Sequence, residues 1–71
     1  MKWTKLADDR WVSIIDPDAR FTLKANRKPD GRWGWEIFAG AARNAMATGI
    51  VSTIGDAKHQ MEQFLKKKSY I

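Results

Sequence analysis

The chain predicts an α+β fold: a three- to five-stranded antiparallel sheet with one C-terminal α-helix packed on one face. Three observations carry that expectation. Residues 20–40 hold two stretches of alternating apolar and polar side chains, joined by Pro29-Asp30-Gly31. Ile54, Ala57, Met61, Phe64 and Leu65 recur at the three-and-four spacing of one helix face. An apolar sheet face and an apolar helical stripe each need a partner, and laying one across the other is the economical solution.

The elements follow in order. Residues 3–6 suit a short first strand, with Asp8-Asp9-Arg10 as the turn after it. Residues 11–15 (WVSII) are β-branched and aromatic, and end at Asp16-Pro17-Asp18. Pro presets a turn dihedral there, and the Asp side chains can close turns on their own backbone. In residues 20–27, Phe21, Leu23 and Ala25 alternate with Arg20, Thr22, Lys24 and Asn26. In residues 32–39, Trp33, Trp35, Ile37 and Ala39 alternate with Arg32, Gly34, Glu36 and Phe38. Period-two alternation sends one set to each face of a sheet. One face is then aromatic and aliphatic, and the other largely polar with an excess of Lys and Arg.

Residues 40–44 read as a loop, and residues 45–51 as a weaker last strand interrupted by Gly49, with a helical turn as the alternative. The helix opens at Thr53-Ile54-Gly55-Asp56, a hydroxyl N-cap with an acid three residues on. Lys58, His59, Glu62, Gln63, Lys66 and Lys67 take the directions away from the apolar stripe. There is no linker, repeat or low-complexity stretch, so residues 1–71 are expected to form a single domain.

A chain of 71 residues has a small core, and a domain this short buries only about 60% of the surface its unfolded chain exposes. With no cysteine, neither a disulfide nor a thiolate metal site can compensate. The four tryptophans are the expected remedy, since each aromatic buries roughly 150–250 Å²; with the register reversed, Trp33 and Trp35 would instead form an exposed stacking platform. Dimerisation is another remedy, so a monomer or a homodimer is expected. The start, MKWTKLADDRW, shows no apolar signal core, and residues 39–54 are too short and too polar to span a bilayer. The expectation is a cytoplasmic protein with no membrane partner.

Catalysis is not expected. The chain has a single His and a single Tyr, and His59 has only Glu62 at helical contact spacing. A catalytic site needs several groups acting together. Ser13, Ser52 and Ser69 lie in no nucleophile-elbow context. The glycines form no phosphate-cradling frame, and Asp16-Pro17-Asp18 is too short for a calcium loop. No cofactor and no metal are expected.

Thirteen Lys and Arg against eight Asp and Glu leave a formal charge of +5. Nucleic acid, DNA rather than RNA, is therefore the first partner considered. Arg20, Thr22, Lys24 and Arg32 are expected on one sheet face, with Arg27 and Lys28 at its turn end. Lys66, Lys67 and Lys68 read either as a solvated helix end, where cations suit the negative pole of the helix dipole, or as a basic tail able to add phosphate contacts. A strand ribbon can enter the DNA major groove, and Phe38 can stack on an unpaired base. Glu36 on the same face opposes phosphate. The alternative is a protein partner, recognised by an inhibitor or adaptor through an open sheet edge or exposed anchors.

The segment DGRWGWEIFAGAARNAMATGIVSTIGDAKHQMEQFL places a Trp-bearing strand after a turn, a second strand near a Gly, and a capped "DAK" at the helix start. It resembles small sheet-plus-helix proteins of phage and prophage genomes. The architecture is also similar to integrase-type DNA-binding domains, the AP2 and recombinase-arm kind, whose three-stranded sheet enters the major groove. That resemblance implies DNA contacts from Arg20, Arg32 and Lys24, with Glu36 departing from the pattern. A mobile-element relationship would also suit an inhibitor of a host nucleic-acid-targeting defence complex.

Overall fold

The computed structural model describes residues 2–15, 20–40 and 42–69. It contains β1 (Thr4–Ala7), β2 (Arg10–Ile15), β3 (Phe21–Arg27), β4 (Trp33–Ala39), β5 (Ala47–Val51) and α1 (Ile54–Lys67). The strands form one antiparallel sheet in chain order, β1-β2-β3-β4-β5, with α1 against β3, β4 and β5. The expected α+β architecture is the observed one, at the five-strand end of its range. Strand bounds differ from the sequence expectation by one or two residues. The Asp16-Pro17-Asp18 turn lies outside the described residues.

The β3–β4 hairpin fixes the register of the central strand pair. Its loop is Pro29-Asp30-Gly31, closed by Lys28 N–H to Arg32 C=O at 2.6 Å and Gly31 N–H to Lys28 C=O at 2.9 Å. Gly31 sits at φ +90°, in the left-handed region that favours glycine. A three-residue loop ending in such a residue is a standard hairpin connection. It sets Ala25 opposite Trp35 and Leu23 opposite Ile37.

Those four residues, with Phe21 and Trp33, form the sheet's buried face, and α1 adds Ala57, Met61 and Leu65. Trp33 and Trp35 are therefore core residues, 8% and 7% exposed. Ile54 and Phe64 complete the helical stripe as half-buried packing partners. Ala39 departs from the expected alternation and is exposed; it pairs with Phe21 but lies beyond the last β4–β5 pair, Ile37 with Ala47. Thr53 caps the helix, its Oγ1 accepting the Asp56 N–H at 3.1 Å.

Lys58 departs from a solvated helix position. Its ammonium stands 3.8 Å from the Trp11 ring centroid and 5.6 Å from that of Trp3. The helix thereby reaches the β1–β2 end of the sheet through a cation on two indoles. Buried Ser13 ties down the same region, its Oγ donating to the Lys2 carbonyl at 2.6 Å.

Candidate binding face

Register decides which side chains share the uncovered face. Lys24 lies between Val12 and Glu36, and Glu36 is followed by Thr48 on β5. On one side of this row run Arg10, Asn26, Gly34 and Ile50; on the other run Ile14, Thr22 and Phe38. Alternation turns all of them away from α1.

Lys24 is central. Its register partner is Glu36, yet its ammonium lies over the Phe38 ring, 5.1 Å from the centroid. A shallow hollow beside that ring is bounded by Thr22, Lys24, Phe38 and Arg43. A second is bounded by Leu6, Arg10, Val12, Lys24 and Glu36, and a third by Asn26, Lys28, Glu36, Thr48 and Ile50. Lys28 comes from the hairpin but lies along this face, because Gly34 leaves room for its stem. A Cβ on Gly34 would stand 2.9 Å from Lys28 Cε.

The structure brings together Thr22, Lys24 and Lys28 of the expected binding residues. It does not bring in the rest. Arg32 donates from Nε to Asp30 Oδ2 at 2.8 Å, so its charge is answered within the turn. Asp30 also accepts the Arg32 backbone N–H at 3.0 Å, and both bonds hold its carboxyl below its ordinary pKa. Arg20 precedes β3, with its guanidinium carbon 5.5 Å from the Phe21 ring centroid, at the sheet end. Arg27 pairs with Trp33, which turns it toward the helix side. Lys66, Lys67 and Lys68 close the helix, in the layer on the other side of the sheet.

Two cations of this face were not anticipated. Arg10 was legible, since extending the WVSII alternation back by one residue puts it on the same side as Val12. Arg43 sits in the loop before β5, where no periodicity applies. The face is also more apolar than the hairpin alone suggested. Leu6, Ile14 and Ile50 are 63%, 56% and 53% exposed, contributed by the strands flanking β3 and β4.

Among the described residues, no group of three or more His, Cys, Asp or Glu is placed to hold a metal ion, and no helix is long and apolar enough to cross a membrane. No family model, curated protein or solved structure matches the chain.

Proposed function

We propose that the protein is a non-catalytic nucleic-acid-binding domain that takes single-stranded nucleic acid across its uncovered sheet face. The observation that carries this reading is the cluster of Lys24, Phe38 and Arg43, with Arg10 and Lys28 on the same face. An aromatic ring beside cations is what single-strand binding requires, because bases stack on the ring while phosphates meet the charges. Lys24 would then leave the Phe38 ring for a phosphate as a base takes its place. Thr22, Asn26 and Thr48 supply hydrogen-bonding groups around it.

Sheet width favours the single-stranded form. Four inter-strand spacings of about 4.8 Å make the sheet roughly 19 Å across. The major groove of B-DNA is only about 12 Å wide. A five-stranded face cannot enter it as a two- or three-stranded ribbon does, but it can serve as a platform for an unpaired strand. The test is Phe38→Leu, which keeps an apolar side chain and removes the stacking surface. Affinity for a fluorescent single-stranded oligonucleotide should fall by roughly 1–3 kcal/mol. Unchanged affinity would remove Phe38 from the site.

A specific observation favours a second reading, in which the same face binds a protein. Leu6, Ile14 and Ile50 stand exposed around the polar centre, and exposed apolar groups rimmed by polar ones mark interaction sites. This reading expects a protein complex that survives nuclease treatment and is lost in the Leu6→Gln, Ile50→Gln double variant.

A further inference from the structure

The two edges of the sheet are built differently. The β1 edge is short, carries a register irregularity between Lys5 and Ala7, and pairs Lys5 with Asp8 at 3.3 Å. Short, bulged and charged edges are how proteins prevent stray strand pairing. The β5 edge is nearly as short, at five residues against four, but lacks the bulge and the charges. Its sequence, ATGIV, contains no charge and no proline, and it pairs with β4 in unbroken register. Among the described residues, no strand pairs with its outer side.

An open groove on the helix side of the sheet meets that edge where the Trp35 indole lies against Gly49. Trp35 and Phe64 supply its apolar lining, Gln60 and Gln63 its amides, and His59, Lys66 and Lys67 its rim. The indole edge of Trp35 reaches this side because Gly49 has no side chain to cover it. No carboxylate lines the groove among the described residues.

We propose that the free edge of β5 takes an acidic, extended segment of a partner protein as an added strand, with alternate side chains entering the groove beside α1. An added strand gains main-chain hydrogen bonds from the edge and side-chain specificity from the adjoining groove. The basic rim selects the charge. Lys66 and Lys67 line the groove together with Trp35, whose register partner on β5 is Gly49. A negative residue of the partner belongs there. A second copy of this chain is the wrong occupant, since each copy carries a formal charge of +5 and the same basic rim. This surface lies on the helix side of the sheet, away from Lys24 and Phe38, so it stands apart from the nucleic-acid reading.

The test uses two short fluorescent peptides with the same Val-Thr alternation, one flanked by glutamates and one by lysines. The glutamate peptide should bind and slow amide exchange in β5. The Lys66→Glu, Lys67→Glu double variant changes only exposed positions. It should weaken glutamate-peptide binding about tenfold and admit the lysine peptide. Equal binding of both peptides to the parent protein would overturn the proposal. So would binding that leaves β5 exchange unchanged, or β5 protection that rises with protein concentration in the absence of peptide, which would make a second copy the occupant.

Discussion

Trp35 and Gly49 face each other across β4 and β5, and the indole fills the space that a side chain at Gly49 would occupy. A Cβ there would stand 2.5 Å from Trp35 Cε2, far inside contact distance. The indole is held in that position by its Nε1, which donates to Gln60 Oε1 at 3.3 Å. Glycine in a strand weakens it on propensity, but a close approach of this kind explains its presence. Gly49→Ala is therefore expected to overpack the site and cost about 1–3 kcal/mol. Urea unfolding followed by tryptophan fluorescence measures it. A loss below about 0.5 kcal/mol would mean that the ring moves aside freely.

Lys58 gives the second prediction. With its ammonium 3.8 Å from the Trp11 centroid, it links α1 to β2. Lys58→Gln keeps much of the stem and removes the charge. It should lower stability by roughly 1 kcal/mol and change the tryptophan emission, whereas Lys58→Arg should restore both. Equal stability of the Gln and Arg variants would reduce Lys58 to a hydrocarbon cover.

The third concerns Ser13. Its hydroxyl is the buried tie between β2 and the Lys2 carbonyl. Ser13→Ala should cost about 1 kcal/mol and speed amide exchange in β1 more than in β3. Uniform acceleration across the sheet would mean that β1 is not held locally by this bond.

The fourth is a pH dependence. Asp30 has a folded pKa below its ordinary value of 3.8, because it accepts the Arg32 backbone and side-chain N–H groups. A depressed carboxylate contributes stability that is present above its unfolded pKa and is lost as pH falls through the folded one. The hairpin contribution is thus complete at neutral pH and disappears on acidification below about pH 4. Asp30→Asn should abolish that part of the acid dependence in a denaturation series. An unchanged acid profile would show that the turn does not use the charge.

Much of this fold could be read from the chain because its signals were local. Alternation in residues 20–39 placed Phe21, Leu23, Trp33, Trp35 and Ile37 on the buried face, and helical spacing placed Ala57, Met61 and Leu65 opposite them. The binding face was less legible, since charge alternation reports direction but not what a cation meets. Arg32 falls on the right side by period, yet a turn carboxylate two residues back takes its guanidinium. Arg20 fell at a strand end, and the lysine tail in the other layer. Lys58 reads as solvated by helical spacing, and only the tertiary fold brings two indoles beneath it.

The central claim is that the face around Lys24 and Phe38 binds single-stranded nucleic acid. A salt titration of the purified protein with fluorescent single-stranded and duplex oligonucleotides tests it most directly, with Lys24→Ala alongside. Binding should favour the single strand, with affinity that falls log-linearly with salt as counterions are released. Lys24→Ala should reduce the slope by about one contact's worth, and Arg32→Ala should change it less. No binding at about 50 mM salt, where phosphate contacts are strongest, would contradict the claim and leave the face to a protein partner.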